Sequence, residues 1–383
     1  MSWKVPLADL DYDASEEEAV LAVLRRRWLT MGSETQAFEA EFAEFVGAKH
    51  AFAVTNCTAA LHMAYEALGL KAGDEVIVPS LTFVATANAV TYTGATPVFA
   101  DVTSESDFSI SPDDIEAKIT PRTKAIVVVH FGGYPCDMLR IQAIAKAHNL
   151  YIVEDAAHTP GSELDGRQLG TWGDVGCYSF FSNKNMATGE GGMLTTDDDE
   201  IAEQFRLLRS HGMTTLTWDR HKGRASTYEV LLPGYNYRID EIRSALGRTQ
   251  LKKLPKNNAK RSELNQYYVE MLTELAPDVG IPYQDHRGVS SCHIRPILLP
   301  PNTDRHQFMA KMKELGIQTS IHYPPAHEFD YYQQNAPATL PMTEKIARRE
   351  ITLPLYPGMS SADVLTVTSA VQQALSTLND SQS

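Results

Sequence analysis

The amino-acid sequence predicts an α/β fold: a large domain built on a mostly parallel central sheet flanked by helices, and a smaller C-terminal α+β domain. From residue 50 onward, short apolar runs without polar alternation are separated by helical patterns, as in buried parallel strands joined by crossover helices. The chain has 383 residues, which is long for one core. We therefore predict an N-terminal arm and large domain over residues 1–250, and a linking helix and small domain over residues 251–383.

The first predicted elements are helical. Residues 16–27 mix apolar and charged side chains, and Phe38, Phe42 and Phe45 recur at helical spacing before Gly47. Between these helices, residues 28–35 form a predicted turn that is rich enough in small polar groups to line a site. Ser33 and Gln36 fit a capping box equally well, so both interpretations stay open.

Six buried strands are predicted in the large domain, at residues 51–54, 75–78, 97–102, 125–131, 151–154 and 175–181. Two intervening helices are marked by caps. Thr58 is predicted to begin a helix over residues 59–68, and Ser111 to cap one that has Pro112 in its first turn.

The C-terminal half begins with a predicted helix over residues 201–210. A polar, aromatic stretch over residues 214–242 is long for a connection and is therefore expected to be functional. A helical region over residues 239–275, interrupted around Pro255, leads to strands at 293–299 and 318–322 with a helix at 306–315 between them. The closing helix carries one apolar stripe, which predicts core packing: Val364, Val367, Val371, Leu375 and Leu378.

Composition and charge exclude several classes of function. The net charge of -14 argues against nucleic acid or an anionic membrane as a partner. The N-terminal sequence has no signal-peptide pattern and no window has the length of a membrane span, so we expect a cytoplasmic protein. The four cysteines are far apart, which indicates neither a disulfide framework nor a metal site.

Two features follow predicted strands, at the sheet edge where open α/β sheets bind ligands. The segment VTNCTAALHMA places a helix start above the sheet, and its free N–H groups make a natural phosphate site. The segment IVEDAAHTPG places Glu154, Asp155 and His158 after a strand, where a desolvated carboxylate needs a cationic partner. A cap for the next helix is an equally good interpretation of Asp155, and a lone histidine is more often structural than catalytic.

The third feature is the stretch VGCYSFFSNKNMATGEGGML, in which Ser179 and Lys184 flank a strand end before a glycine-rich return. A phosphate site, an acid for a protonated ring nitrogen and a lysine that can form an imine match the needs of pyridoxal 5'-phosphate. The imine role requires an amine whose pKa is lowered by its surroundings. An ordinary surface lysine or a lid anchor is the alternative for Lys184.

Beyond these features, the chain resembles the DegT/DnrJ/StrS family of pyridoxal-phosphate-dependent nucleotide-sugar aminotransferases, which have fold type I, the aspartate aminotransferase fold. The resemblance covers nearly the whole chain, and its segments include WLTMGSETQAFE, PSLTFVATANAV, GATPVFADV, VEDAAHTPGS, YSFFSNKNMATGEGG, LPGYNYRIDEIRSALG, SIHYPPAH and LPLYPGM. The form ATGEGG after the lysine is similar to the enzymes that aminate C4 of 4-keto sugars.

The resemblance implies a role for each matching residue. Lys184 would form the imine with the cofactor, Asp155 would pair with the pyridinium nitrogen, and His158 would contact the phenolic oxygen. Phe83 would stack on the cofactor ring. The phosphate would be held by Thr58, Ala59 and Ser179, with Asn236 of a neighbouring subunit, so that a homodimer is implied. Substrate would be bound by Glu190, His322 and Tyr323.

Two positions depart from the family pattern. Cys57 replaces a glycine in the phosphate turn, which restricts the backbone there. Phe181 replaces a histidine near the lysine and removes a polar group.

The predicted reaction moves an amino group from an amino acid, L-glutamate by family analogy, to the keto carbon of a nucleotide-linked deoxysugar. The alternatives are a dehydratase, an enzyme that aminates a cyclitol or another ketone, and a non-enzymatic sugar-nucleotide sensor. Relatives that are dehydratases carry histidine where this chain has Lys184, which favours transamination.

Overall fold

The computed structural model describes residues 3–215, 223 and 226–380. Its strands are β1 (His50–Val54), β2 (Glu75–Pro79), β3 (Thr96–Ala100), β4 (Val102–Ser104), β5 (Asp107–Ile110), β6 (Thr123–Val129), β7 (Tyr151–Asp155), β8 (Glu163–Leu164), β9 (Arg167–Gln168), β10 (Val175–Ser179), β11 (Gly192–Thr196), β12 (Arg295–Leu298) and β13 (Glu350–Leu353).

Its α-helices are α1 (Ala14–Arg26), α2 (Ser33–Val46), α3 (Cys57–Ala67), α4 (Ala85–Tyr92), α5 (Pro112–Ala117), α6 (Met138–His148), α7 (Asp199–Leu208), α8 (Glu241–Leu275), α9 (Arg305–Glu314), α10 (Asp330–Asn335), α11 (Pro341–Ala347) and α12 (Ser361–Asp380).

A seven-stranded sheet in the order β1-β11-β10-β7-β6-β2-β3 forms the centre of the large domain. Strands β3, β2, β6, β7 and β10 pair in parallel, whereas β11 is antiparallel to both of its neighbours. The α/β fold and all six predicted strands of the large domain are thereby confirmed. Strand β11 was not predicted, because its five residues, GMLTT, carry too little apolar pattern to separate a strand from a loop.

Apolar side chains fill both faces of this sheet. One face packs against α3, α4 and α7, and the other against α5 and α6. A separate core lies around α8, α9, α12, β12 and β13. The stripe predicted on the closing helix belongs to this second core, with Val364, Val367, Val371 and Leu375 buried and Leu378 partly buried.

Two predictions about local structure were wrong. Helix α8 runs through Pro255 without a break. The predicted strand at residues 318–322 is absent, since only an isolated bridge pairs Ser320 with Thr352. The ladder does not continue because the N–H of His322 donates to the Glu350 carboxylate at 2.8 Å instead of to a backbone carbonyl.

The caps of α2 and α3 also differ from prediction. Asn56, and not Thr58, caps α3, because its side-chain oxygen accepts the N–H of Ala59 at 2.8 Å. Helix α2 has no capping box at Ser33 and Gln36, since its N-cap is Gly32 and no side chain of the cap residue takes part. The Ser111 cap of α5 is confirmed.

The start of α2 is held instead by Glu241, a buried side chain from the start of α8. Its carboxylate accepts the N–H groups of Gly32, Glu34 and Thr35 at 2.8, 2.9 and 3.0 Å. Free N–H groups at a helix start favour a carboxylate. This contact between residues more than 200 positions apart joins the N-terminal helices to the long helix.

The predicted domain border at residue 250 falls inside α8, and the division into residues 1–250 and 251–383 stays a prediction. Of the long polar stretch at 214–242, residues 216–222 and 224–225 lie outside the described residues. No helix in the described ranges has the length and apolar character that a membrane crossing requires.

We expect Glu241→Ala to lower the free energy of unfolding by about 2–4 kcal/mol, because three N–H groups at the start of α2 lose their acceptor. Urea unfolding followed by circular dichroism measures the change. The control is Glu263→Ala on the exposed face of the same helix, where the ion pair with Lys260 is solvated. Equal losses in the two variants would contradict the cap.

Candidate active site

A cavity of about 400 Å³ opens at the carboxyl ends of the parallel strands. Asn56 follows β1, Thr82 follows β2, and Asp155 and Ser179 end β7 and β10. Most of the site residues predicted from sequence line this cavity: Thr58, Phe83, Asp155, His158, Ser179, Lys184, Glu190, His322 and Tyr323.

The two remaining predicted residues do not line the cavity. Ala59 is buried, and its N–H is engaged by Asn56 as the helix cap. Asn236 is exposed and forms a bridge with Ser210, away from the cavity. The role of Asn236 toward a neighbouring subunit stays a prediction.

Lys184 lies in the turn after β10, where its backbone N–H donates to the carbonyl of Phe181 at 2.9 Å. Desolvation lowers the pKa of its ammonium to about 8, although Asp155 acts in the opposite direction. No hydrogen bond or ion pair holds its Nζ within the described part of the chain. A substantial minority of the amine is thus neutral near physiological pH and able to react.

Asp155 and Glu154 end β7 and point to opposite sides of the sheet, as alternation along a strand requires. Asp155 lines the cavity, where its carboxylate accepts the Thr86 hydroxyl at 2.7 Å and the N–H of Ala157 at 3.2 Å. Desolvation raises the pKa of Asp155 despite these bonds. A cation placed beside it would restore the charged form.

The carboxylate of Glu154 is structural. It accepts the backbone N–H groups of Gly170 and Gly173 at 2.7 and 2.6 Å and faces His130 Nε2 at 2.9 Å. The capping interpretation of Asp155 was wrong, because residues 156–162 form turns and no helix follows the strand.

His158 is fixed as one neutral tautomer. The N–H of Gly132 donates to its Nδ1 at 3.1 Å, so Nε2 carries the proton and donates to the Tyr323 hydroxyl at 3.0 Å. Burial lowers the pKa of His158 well below its usual range, with Lys184 adding to the effect. Neutral His158 therefore orients Tyr323 by donating a hydrogen bond to its hydroxyl.

The turn between β1 and α3 presents a helix start to the cavity. Cys57 and Thr58 occupy the first turn of α3, where backbone N–H groups have no partner within the helix. Cys57 is accommodated in ordinary helical conformation, so the replacement of glycine does not distort the turn. An anion is the natural ligand of such a site.

Gly192, at the end of the glycine-rich return, packs directly against this turn. A Cβ atom on Gly192 would lie 2.6 Å from the backbone carbon of Asn56 and 2.8 Å from the nitrogen of Cys57. Only glycine permits that approach. The return after Lys184 and the helix start of α3 are therefore one structural unit.

Aromatic side chains form the open side of the cavity. Phe83 is 58% exposed, and its ring centroid lies 6.0 Å from that of Tyr323. Phe181, the residue that departs from the family pattern, is also exposed. An exposed ring at a cavity wall can stack on a planar ligand.

Sequence reasoning missed several residues of the site. Thr86, the donor to Asp155, lies three residues after Phe83 in a helix whose apolar composition gave no sign of it. Asn56 was available as a cap from its position before α3. Asn183 also lines the cavity and carried no signal of its own.

The DegT/DnrJ/EryC1/StrS aminotransferase family model matches residues 11–372. The spore coat polysaccharide biosynthesis protein SpsC of Bacillus subtilis is 43% identical over 365 residues, which cover 93% of each chain. PseC of Helicobacter pylori, an aminotransferase involved in the biosynthesis of pseudoaminic acid, has a similar structure with a TM-score of 0.92 and 31% identity, over 98% of this chain and 100% of PseC.

DesI, solved in the presence of its TDP-sugar product, has a TM-score of 0.89 and 30% identity, and the match covers 100% of this chain and 95% of DesI. The chain belongs to the DegT/DnrJ/EryC1/StrS aminotransferase family. It has fold type I and is a pyridoxal-phosphate-dependent aminotransferase.

The residues present fit this cofactor. A helix start suits its phosphate, a desolvated carboxylate at Asp155 suits a protonated ring nitrogen, and the unpaired amine of Lys184 suits its aldehyde. All three groups line one cavity.

We expect Lys184 in the cofactor-free protein to react with a small acylating reagent with a midpoint near pH 8, because burial favours its neutral form. Lys253, whose pKa is raised by Glu16 and Asp13 despite desolvation, should react only at higher pH. Asp155→Asn should move the midpoint of Lys184 downward, since Asp155 favours the charged ammonium. Mass spectrometry of labelled peptides measures the labelling rate of each lysine as a function of pH. Identical pH profiles for the two lysines would refute the lowered pKa of Lys184.

Proposed function

We propose that this sugar aminotransferase moves an amino group from L-glutamate to C4 of a nucleotide-linked 4-keto deoxysugar. The observation that carries the proposal is the unpaired Lys184 amine, which shares one cavity with Asp155 and the helix start of α3. The segment ATGEGG after the lysine supports C4, and the TDP-sugar product of DesI supports a nucleotide-linked substrate.

Lys184 is the group that moves protons. Pyridoxal phosphate, when bound, supplies the electron sink that stabilises negative charge on the reacting carbon. Lys184 Nζ takes the proton from the α-carbon of the amino donor and later delivers a proton to the carbon that receives the amino group. A pKa of about 8 serves both steps, because the amine is neither fully protonated nor fully neutral near pH 7 to about 8.

Asp155, His158 and Tyr323 orient the ring. The Asp155 carboxylate keeps a ring nitrogen protonated, and Thr86 and Ala157 hold that carboxylate in place. His158 and Tyr323 meet through one hydrogen bond at the other side of the cavity. We assign His158 to the phenolic oxygen, and Phe83 to the open face of the ring.

The cavity mouth is the place for the sugar. Glu190 is exposed there, and His322 and Tyr323 line the wall. These groups offer a carboxylate, an imidazole and a phenol to sugar hydroxyls. We assign Glu190 and His322 to substrate binding on this basis.

We further propose that the working unit is a homodimer in which Asn236 of one subunit completes the phosphate site of the other. Asn236 is exposed. Val230 and Leu231, close by in the chain, are 50% and 61% exposed, an apolar surface that a second copy would cover.

Purified protein with pyridoxal phosphate, L-glutamate and a 4-keto nucleotide sugar should release 2-oxoglutarate and an amino sugar, measured by coupled absorbance and mass spectrometry. A panel that includes 3-keto sugars and a cyclitol ketone tests the position. Turnover of a 3-keto sugar alone would refute the C4 assignment, and a dehydrated product would refute amino transfer.

Lys184→Ala should reduce turnover by at least about 10³-fold, because one amine carries both proton transfers. The variant should also lack the yellow colour of the lysine-bound cofactor while still retaining cofactor on a desalting column. Lys49→Ala, at an exposed lysine, is the matched control and should keep both. An unchanged absorption spectrum in Lys184→Ala would overturn the assignment.

Asp155→Asn should lower turnover by about 10²-fold or more, because a neutral amide cannot hold the ring nitrogen protonated. Its free energy of unfolding without cofactor should not fall, since burial already disfavours the charged carboxylate. Activity and urea unfolding are measured on the same preparations. Parallel losses of activity and stability would instead indicate a structural role.

A further inference from the structure

A chain of hydrogen bonds runs from a buried carboxyl group to the cavity wall. Glu350 and Thr352 are two positions apart on β13 and therefore share a face of the strand. The oxygens Thr352 Oγ1 and Glu350 Oε1 are 2.6 Å apart, and Thr352 Oγ1 lies 2.8 Å from His322 Nδ1. Glu350 Oε2 accepts the backbone N–H of His322 at 2.8 Å.

His322 is the end of this chain at the cavity. Its Nδ1 is engaged by Thr352, so Nε2 is the ring nitrogen available to a ligand. Burial lowers the pKa of His322 to about 4, and Lys184 adds to the effect. The ring is therefore neutral in the working range of pH, with its single N–H proton on either nitrogen.

Glu350 is fully buried and forms no ion pair within the described residues. Desolvation raises the pKa of its carboxyl to about 8, while the bonds from Thr352 and His322 and the charge of Arg305 act in the opposite direction. The carboxyl is therefore protonated below about pH 8 and ionised above it.

The protonation state of Glu350 dictates the direction of each bond. Oε2 accepts from the His322 backbone, so a proton on Glu350 sits on Oε1 and is donated to Thr352. The threonine hydroxyl then donates to Nδ1, and the ring proton is on Nε2. When Glu350 is ionised, Thr352 donates to Oε1 and accepts from Nδ1–H, which leaves Nε2 as a bare acceptor.

We propose that Glu350, acting through Thr352, is a positioning residue that sets whether His322 Nε2 donates or accepts a hydrogen bond toward the sugar acceptor. The identity of that ligand rests on the proposed function. The two states interconvert with balanced protons. A proton leaves Nε2 for a cavity acceptor, Nδ1 takes the Thr352 proton, and Thr352 regains one from Glu350.

Several other titratable groups face this chain and must be separated from it. Lys184, His158 and Tyr323 line the same cavity as His322. Arg305 faces Glu350 from α9. The pKa of Lys184 is also about 8, so a pH profile of activity cannot separate the titration of Lys184 from that of Glu350. The test therefore needs a signal from His322 itself.

A second, smaller cavity lies behind His322. It has a volume of about 20 Å³, is lined by His293, His322 and Thr352, and is large enough for one water molecule. The buried Nε2 of His293 has no hydrogen-bond partner in the described part of the chain.

The direct test is the tautomer of His322 in the holoenzyme, read from ¹⁵N chemical shifts of ¹⁵N-histidine-labelled protein and assigned with His322→Gln. In the wild-type protein the ring proton should move from Nε2 to Nδ1 as the pH rises through about 8. A tautomer that does not change between about pH 6 and about pH 10 would overturn the proposal.

Substitutions at two positions test the relay, the chain of hydrogen bonds from Glu350 through Thr352 to His322. In Glu350→Gln the amide oxygen accepts the His322 N–H, so the NH₂ group donates to Thr352 and locks the ring proton on Nε2 at every pH. Thr352→Val removes the hydroxyl and should abolish the pH dependence, whereas Thr352→Ser should restore it. Thr368→Val, at a buried threonine of α12, is the matched control and should behave as wild type. A Glu350→Gln protein whose tautomer still switches would refute the relay.

The kinetic effect of Glu350→Gln should be confined to the half-reaction with the sugar acceptor. Glu350→Gln should change KM for the sugar acceptor above about pH 8 by about three- to tenfold, the effect of one hydrogen bond, and leave the half-reaction with the amino donor unchanged. An equal effect on both half-reactions would indicate a structural role. The tautomer measurement needs no substrate, so the relay and the assignment of the sugar fail or succeed independently.

Discussion

Desolvation of ionisable side chains at the carboxyl edge of the sheet is the constraint on which the active site depends. Within that cavity Lys184 and Asp155 are both desolvated, but neither contacts the other as an ion pair in the described chain. Burial lowers the pKa of the amine and raises that of the acid. The site therefore holds an amine and an acid whose charged forms are both disfavoured, and these groups fit the aldehyde and the protonated ring nitrogen of pyridoxal phosphate.

Two strands near this cavity direct successive side chains to opposite faces, and each face has a different role. At the end of β7, Glu154 faces one way to hold the loop through Gly170 and Gly173, while Asp155 faces the cavity. On β13, Ile351 contributes to the core, whereas Glu350 and Thr352 form the relay to His322. In both strands, one face stabilises the fold and the other serves the chemistry.

Much of this arrangement could be predicted from the sequence. Short apolar runs followed by helical patterns predicted the central strands, because a parallel strand that is buried on both faces is apolar along its whole length. Lys184, Asp155 and Ser179 were identifiable because each lies at or shortly after the carboxyl end of such a run. The sequence signal failed where a partner is distant in the chain, as for Glu241 at the start of α2 and Thr86 beside Asp155.

The sequence by itself determined the α/β class, the family and most of the residues that line the cavity, since these depend on local pattern and on motifs that adjoin strand ends. Tertiary structure alone decided how those residues are tuned. The pKa of Lys184, the tautomer of His158 and the link from Glu350 to His322 arise from desolvation and from contacts between separate elements. No local pattern records a desolvation energy, because burial is a property of the folded chain as a whole.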